Sequence, residues 1–196
     1  MGVRSQVAMG RVEPREPWPP LAWRSIDEEA GFEAIFDDAV NLVVWRRGAP
    51  QLPEIAGFID PPRRLMRPVR VQDLSAAQVA WALDLGEPSA FAADVSHLVE
   101  LFATLTDARE VGIRLEATAR QTCPKWHTDR VGLRLMTTYA GPGTEWLDDE
   151  VTRCAMAGDV LIAKGELWPN AHGACVHRSP DPQGVTRLLL TLDQIR

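Results

Sequence analysis

Long apolar runs are missing from this sequence of 196 residues, and so are blocks of basic residues. No apolar stretch approaches the roughly 20 residues that a membrane-spanning helix needs. The first 20 residues lack the apolar centre of a signal peptide. Lysine and arginine are scattered along the chain, and the formal net charge is -6. We therefore expect no membrane association, and we do not expect nucleic acid to be the main partner.

Cysteine is also scarce, at three residues. An odd number in a chain of this length does not indicate a disulfide framework. Free thiols are usual in the cytoplasm, so we expect a cytoplasmic protein. The remaining composition, with 45% hydrophobic and 24% charged residues, is that of an ordinary globular protein. The length suits one domain with a sizeable core.

The first half of the chain favours helices. Residues 1–25 are rich in proline and arginine, which predicts an irregular segment. Residues 26–107 predict a mainly helical support region, with one short strand in "NLVVWRR". Two of its helices are expected to begin at Asp73 or Ser75 and at Ser89, because these side chains can cap a helix. Apolar residues recur at helical spacing in the second of these helices, at Phe91, Val95, Leu98, Val99 and Phe102.

Strands prevail after residue 108. The segments "EVGIRLEAT", "VGLRLMTTYAG", "VLIA" and "RLLLTLDQI" are rich in β-forming residues, and glycine-containing turns separate several of them. This pattern predicts a β-rich core over residues 108–196 that packs against the N-terminal helices. The fold class is therefore α+β, and both halves are expected to form one integrated domain.

Three of the four histidines lie in the strand-rich half. His127 and Asp129 are separated by one residue in "CPKWHTDRVGLRL", and such side chains point to the same side of an extended chain. Both can therefore reach one metal ion. Either His177 or His172 can supply a third ligand, and we prefer His177 because it lies in a short strand while His172 lies in the loop "PNAHG". Two histidines and a carboxylate with open positions suit ferrous iron in oxygen-using enzymes.

Two arginines in apolar strands need partners, because a buried guanidinium is costly unless it is paired. Arg187 opens the last strand. Its partner is either a protein carboxylate, such as Asp159 or Glu166, or a bound dicarboxylate that it grips with both nitrogens. Arg134, on the strand after the His-x-Asp pair, either competes with Arg187 as a carboxylate anchor or holds an acid group of the substrate.

Several other residues near these motifs are candidates for the site. Cys123 lies four residues before His127. As a thiolate it would be a fourth ligand and would favour a closed zinc site, whereas as a thiol it would be a small buried hydrophobic residue. Trp126 and Trp168 are candidates to line a pocket, although packing explains most tryptophans.

The order of these motifs resembles that of the iron- and 2-oxoglutarate-dependent dioxygenases. It consists of His127-x-Asp129, a Gly-Asp turn, His177 and Arg187, and the resemblance covers roughly residues 108–196. It implies a double-stranded β-helix of the jelly-roll or cupin-like kind, with Fe(II) and 2-oxoglutarate as cofactors. It further implies His127, Asp129 and His177 as iron ligands and Arg187 as the anchor for the far carboxylate of 2-oxoglutarate. Tyr139 then either donates a hydrogen bond to this cosubstrate or packs in the core.

A second resemblance covers nearly the whole chain. The segments "CPKWHTD", "RLMTTYAGPGTEWL", "GDVLIAKGE" and "HRSP" followed by "RLLLTLD" are similar to a bacterial family known as domain of unknown function 1826. Members of that family are associated with zinc-responsive gene sets, so this resemblance also implies a role in zinc homeostasis. Two functions follow. One is a dioxygenase-like oxidoreductase that hydroxylates an unspecified substrate, and the other is a non-catalytic zinc-binding protein that uses the same residues together with Cys123.

Overall fold

The computed structural model of the chain describes residues 21–59, 62–169 and 173–195. These residues form ten strands, three α-helices and three 3₁₀ segments. The strands are β1 (Ala22–Ile26), β2 (Val40–Trp45), β3 (Arg64–Arg70), β4 (Glu110–Thr118), β5 (Leu133–Ala140), β6 (Glu145–Asp148), β7 (Val151–Cys154), β8 (Val160–Lys164), β9 (His177–Arg178) and β10 (Arg187–Gln194). The α-helices are α1 (Ala56–Ile59), α2 (Ala76–Ala82) and α3 (Ala90–Thr106), and the 3₁₀ segments are Glu29–Phe36, Pro53–Ile55 and Val71–Asp73.

The strands form two sheets. The large sheet has seven strands in the order β1-β2-β8-β5-β10-β4-β3, and the small sheet has three in the order β7-β6-β9. The last strand, β10, lies between β5 and β4 and is antiparallel to both. A small apolar cluster joins the two sheets, and it includes Met136 of β5, Leu161 of β8 and Trp146 of β6. The large sheet therefore has one face turned towards the small sheet.

The helices cover the opposite face of the large sheet. Ser89 caps α3 as predicted, since its hydroxyl accepts a hydrogen bond from the Ala92 amide at 3.1 Å. The five apolar positions of α3 that recur at helical spacing are all buried. They pack in one cluster with Leu188, Leu190 and Leu192 of β10. Because side chains alternate along a strand, the intervening residues of β10 face the small sheet.

The region predicted to be a mainly helical support also contributes strands. The strand predicted in "NLVVWRR" is confirmed as β2, and a short helical segment follows it. β1 and β3 were not predicted, and they form the two edges of the large sheet. β3 could not be predicted from the sequence pattern because most of its residues are exposed, and an edge strand does not need alternating apolar residues. Residue 108 is therefore not a structural boundary, and strands from both halves share one sheet.

Two further points concern the chain as a whole. Residues 1–20 of the predicted irregular segment lie outside the described residues, while Ala22–Ile26 forms β1. Within the described ranges, no helix is both long and apolar enough to cross a membrane.

Candidate metal centre

His127 and His177 are brought together by their own backbones. The amide of each donates to the carbonyl of the other at 3.0 Å, which forms an isolated antiparallel bridge. A further hydrogen bond, from the Ser179 amide to the Cys123 carbonyl at 3.0 Å, extends the pairing. The segment that carries His127 thus runs beside β9, and the centroids of the two imidazole rings are 4.6 Å apart. The third ligand predicted from sequence, His177, is therefore adjacent to the first.

Asp129 completes a compact group of three possible metal ligands. One ligand atom from each of His127, Asp129 and His177 lies within 4.8 Å of the others. The His177 Nε2 atom is 3.1 Å from Asp129 Oδ2, and the His127 Nε2 atom is 3.8 Å from Asp129 Oδ1. An ion bound about 2.1 Å from each ligand would place the ligand atoms roughly 3 Å apart, close to these separations.

One carboxylate oxygen of Asp129 is short of hydrogen-bond partners within the protein. The Asp129 Oδ2 atom is buried, and apart from His177 Nε2 at 3.1 Å it has no polar partner. Such an orphaned carboxylate oxygen is costly unless it binds a cation. Two imidazoles and one carboxylate are the donor set that ferrous iron takes in oxygen-using enzymes, so these residues fit that metal.

Both imidazoles present Nε2 to the site because the other nitrogen is occupied. The Nδ1 atom of His127 lies 3.0 Å from the Lys125 carbonyl, and that of His177 lies 3.1 Å from the Cys175 carbonyl. A carbonyl can only accept, so in the neutral imidazoles Nδ1 carries the proton and Nε2 keeps the lone pair that a metal would use. This arrangement is typical of metal-binding histidines, whose second nitrogen is fixed by a hydrogen bond.

Arg134 holds Asp129 in place. Its Nη1 atom is 2.7 Å from Asp129 Oδ1, while Nε and Nη2 each lie 2.7 Å from an oxygen of Asp193 on β10. Burial by itself would raise the pKa of Asp129. However, His177, Arg134 and His127 outweigh burial and hold this pKa at about 2. Asp129 is thus a carboxylate at any pH at which a metal would bind.

The loop that carries Asp129 is fixed by the segment after β8. The Glu166 amide donates to the Asp129 carbonyl at 2.9 Å, and the Gly165 amide donates to the Gly132 carbonyl at 2.8 Å. A Cβ atom on Gly165 would lie 2.3 Å from the Val131 carbonyl oxygen and 2.7 Å from that of Asp129. Only glycine permits this close approach. Gly165 was not identified from sequence, although a glycine directly after the buried strand "VLIAK" is a usable signal.

A pocket of about 280 Å³ opens beside the three ligands, and Arg187 lies in its wall. Arg187 is 3% exposed. Its Nε atom donates to the Pro142 carbonyl at 2.9 Å, and Nη2 donates to the hydroxyls of Thr144 at 2.8 Å and Thr138 at 3.2 Å. Burial lowers the pKa of Arg187 to about 10, and Glu116 offsets only part of that effect. The guanidinium remains charged at neutral pH.

No protein carboxylate forms an ion pair with Arg187 among the described residues. The two partners considered from sequence are engaged elsewhere, since Asp159 pairs with Arg46 and Glu166 accepts a hydrogen bond from Thr128. A buried arginine in a pocket wall that has no carboxylate partner of its own has the chemistry to bind an anion.

Two of the predicted cosubstrate ligands need correction. Arg134 lines the pocket, but its guanidinium pairs with Asp129 and Asp193, so it orients a candidate metal ligand and is not available to a free carboxylate. Tyr139 lies on the face of β5 that packs against the helices. Its hydroxyl donates to Asp94 of α3 at 2.6 Å, and its ring packs edge-on against Phe91. Tyr139 therefore packs in the core, which was the alternative considered. Side chains alternate along β5, so Tyr139 and Arg134 lie on opposite faces of the sheet.

Of the additional candidates, those that the structure describes fall outside the ligand group. Cys123 lines the pocket and is exposed, but its thiol does not belong to the group of converging ligands. Trp126 stacks against the Arg178 guanidinium at 4.2 Å, and Trp168 packs against Phe36 at 5.9 Å, so neither lines this pocket. His172 lies outside the described residues.

Several polar side chains in or beside the pocket were not identified from sequence, among them Thr138, Thr144 and Arg114. Thr138 and Thr144 orient Arg187, and Arg114 of β4 lines the wall beside it. Threonines in strands carry no distinctive signal, because they are also common as plain strand residues. The alternation in "EVGIRLEAT" does place Arg114 on the polar face of its strand, which could have identified it.

The fold is similar to those of two solved oxygenases. Dioxygenase for auxin oxidation 1 from Arabidopsis thaliana, solved with 2-oxoglutarate, superposes with a TM-score of 0.54 at 11% identity, covering 89% of this chain and 92% of that one. A 2OG-Fe(II) oxygenase family oxidoreductase from Burkholderia pseudomallei gives a TM-score of 0.50 at 13% identity, covering 90% and 94%. Identities this low establish the fold alone. The predicted α+β fold of the double-stranded β-helix type is confirmed, with two sheets that do not close into a barrel.

Sequence comparison adds the family. No functionally curated protein matches this chain. Residues 27–193 match the family model described as Protein of unknown function (DUF1826). The match spans most of the chain and includes the three candidate ligands and Arg187, so this protein belongs to the DUF1826 family.

Proposed function

We propose that this protein is an iron(II)- and 2-oxoglutarate-dependent dioxygenase that hydroxylates a C–H bond of an organic substrate. One observation carries the proposal. The converging donors of His127, Asp129 and His177 share a pocket with Arg187, a buried guanidinium that has no carboxylate partner among the described residues. A metal site and an anion site in one pocket are what a metal-bound dicarboxylate requires.

In this proposal the three ligands bind iron through one side only. The backbone bridge and the Nδ1 hydrogen bonds orient the two histidines, and Arg134 orients Asp129. The side of the site that faces the pocket is free of further protein ligands among the described residues. Small molecules can therefore bind there, as they do at catalytic but not at structural metal sites.

Arg187 would hold the far carboxylate of 2-oxoglutarate. Thr138, Thr144 and the Pro142 carbonyl fix two of its nitrogens, so that the guanidinium is oriented before the cosubstrate binds. Met136 and Leu189 supply apolar surface in the same wall and keep water away from the charge pair. When bound, iron and 2-oxoglutarate supply the oxidising chemistry, in which decarboxylation of the cosubstrate with oxygen drives hydroxylation of the substrate.

The zinc-binding alternative depends on a closed site. It needs a fourth protein ligand, and Cys123 was the residue predicted for that role. Because its thiol is not in the ligand group, we expect Cys123→Ser to change metal affinity by less than about threefold. A loss of two orders of magnitude, measured by competition with a chromophoric chelator, would instead support thiolate ligation and a zinc protein.

The direct experiment is anaerobic loading of the metal-free protein with ferrous iron. Addition of 2-oxoglutarate should produce a visible charge-transfer band at a stoichiometry of one, and admission of air should then release succinate. His177→Ala serves as the control and should show neither signal. If the wild-type protein binds ferrous iron but gives no band and no succinate, the proposal fails. Retention of tightly bound zinc that iron cannot displace would favour the alternative.

A further inference from the structure

The pocket contains a second arginine that the proposed chemistry does not use. Arg114 lies on the polar face of β4 and lines the same wall as Arg187. Its Nη2 atom donates to the Thr191 hydroxyl at 3.2 Å. Its Nε atom is buried and has no hydrogen-bond partner. A buried N–H of a charged group without a partner is costly, so this position is incomplete without a ligand.

The charges around Arg114 do not balance within the protein. Five arginines line the pocket, against the carboxylates of Glu116 and Asp129. Two of the five are neutralised locally, because Arg134 binds Asp129 and Asp193 while Arg178 binds Glu145 at 2.6 Å. The remaining three are Arg64, Arg114 and Arg187.

Glu116 does not neutralise these three arginines. It faces Arg64 across the β3–β4 pair, but within the described residues no ion pair joins it to Arg64, Arg114 or Arg187. Burial and the nearby charges of Arg134 and Arg64 lower the pKa of Arg114, although Asp193 and Glu116 counter part of that effect. A second anion beside Arg114 would therefore remove a repulsion that the folded chain leaves in place.

In the proposed arrangement, both carboxylates of the cosubstrate at Arg187 are bound elsewhere. Arg114 pairs across the sheet with Thr191, which lies four residues after Arg187 on β10. At about 3.3 Å per residue, four residues of a strand span roughly 13 Å. Arg187 and Arg114 therefore start from backbone positions that are well separated along the wall of the pocket. One carboxylate of 2-oxoglutarate would be at the metal and the other at Arg187, which leaves Arg114 without an anion.

We propose that Arg114 binds an anionic group, a carboxylate or a phosphate, of the substrate that is hydroxylated. This inference rests on the proposed function, because it assigns the substrate class of the same pocket. The substrate is a small acid, since a pocket of about 280 Å³ that also holds 2-oxoglutarate leaves little room for a larger one. Arg64, exposed at the mouth of the pocket, would attract the acid as it approaches.

The test compares charged and neutral ligands of one shape. The protein is loaded anaerobically with ferrous iron, saturated with 2-oxoglutarate, and titrated by calorimetry with benzoate against benzamide, and with phenyl phosphate against phenol. The wild-type protein should bind at least one of the acids more tightly than its neutral partner. Arg114→Gln should lower the affinity for that acid by roughly tenfold or more, since a charged hydrogen bond is lost. Arg114→Lys, which keeps the charge, should lose less.

Measuring 2-oxoglutarate binding in both variants distinguishes the anion site at Arg114 from the one at Arg187. Arg114→Gln should keep the charge-transfer band with 2-oxoglutarate, whereas Arg187→Gln should lose it. The inference is overturned if the wild-type complex binds neither acid more tightly than its neutral partner, or if Arg114→Gln binds the acids as the wild type does. A wild-type protein that fails to bind 2-oxoglutarate at all would instead refute the proposed function, so the two failures are distinct. Circular dichroism of each variant separates a binding loss from misfolding.

Discussion

The Nη1 atom of Arg134 lies 2.7 Å from Asp129 Oδ1, so a carboxylate that faces the metal position is itself bound by a guanidinium. Arg134 is in turn fixed by two contacts to Asp193 of β10. The chain Asp193–Arg134–Asp129 thus ties the ligand loop to the centre of the large sheet. The carboxylate is oriented before any metal arrives, which reduces the entropy lost on binding.

Arg134→Gln should therefore weaken metal binding. Loss of a residue that orients a ligand typically costs roughly 10- to 100-fold in metal affinity, and we expect a value in that range. Arg134→Lys should be intermediate, because it keeps the charge but cannot contact both carboxylates as a fork. Competition with a chromophoric chelator measures the affinity.

Asp193→Asn is the matched control for this prediction. It leaves the direct contact between Arg134 and Asp129 in place and removes only the negative charge of Asp193 on the other side of Arg134. Its effect should be smaller than that of Arg134→Gln. Unchanged metal affinity in Arg134→Gln would mean that the ion pair with Asp129 has no part in positioning the ligand.

Arg187→Gln should separate cosubstrate binding from metal binding. Removing one partner of a buried charge pair costs about 2–5 kcal/mol, so 2-oxoglutarate affinity should fall by roughly 30- to 5,000-fold. Metal affinity should stay within about threefold, because Arg187 makes no contact with the ligand group. Equal losses of both would show that Arg187 supports the fold of the whole site, and Arg187→Lys provides a milder variant for that comparison.

Tyr139→Phe tests the correction to the cosubstrate site. The hydroxyl of Tyr139 and the guanidinium of Arg47 both bind Asp94, so the substitution removes one of the partners of a partly buried carboxylate. Urea denaturation should show a loss of about 1–3 kcal/mol in the free energy of unfolding. The affinity for 2-oxoglutarate should not change. A selective loss of 2-oxoglutarate binding at unchanged stability would return Tyr139 to the cosubstrate site.

The ionisation of Asp129 makes the metal-free protein sensitive to acid. Its pKa of about 2 is lower than the ordinary value of 3.8, so its charge stabilises the folded state above pH 4. That contribution, about 2 kcal/mol, is lost as the pH falls from about 4 towards 2. In the presence of a chelator, the free energy of unfolding of the wild type should fall more steeply below pH 4 than that of Asp129→Asn. Parallel pH profiles would contradict this assignment.

The sequence was sufficient to predict features that depend on the spacing of neighbouring residues. His127 and Asp129 could be paired because side chains alternate in an extended chain, and His177 could be preferred because it lies in a strand. The N-caps at Ser75 and Ser89 follow from local hydrogen bonding and are confirmed. These features depend on a few neighbouring residues, and the sequence contains all of them.

Pairing between distant strands could not be predicted in the same way. Whether Arg134 or Arg187 has a free guanidinium depends on Asp193 being opposite Arg134 across the β5–β10 pair, which is a matter of register. Whether Tyr139 lies in the core or in the pocket depends on which face of β5 the helices cover. The edge strands β1 and β3 lack a periodic pattern, and the close approach at Gly165 joins segments that are more than thirty residues apart in sequence.

The most direct measurement is a crystal structure of the protein with a divalent metal and 2-oxoglutarate, grown without oxygen. The account predicts one ion bound by His127 Nε2, a carboxylate oxygen of Asp129 and His177 Nε2. It also predicts that both ends of 2-oxoglutarate are held, one at the ion and the other by Arg187. An ion enclosed by four protein ligands, with Cys123 among them and Arg187 facing no ligand, would contradict it.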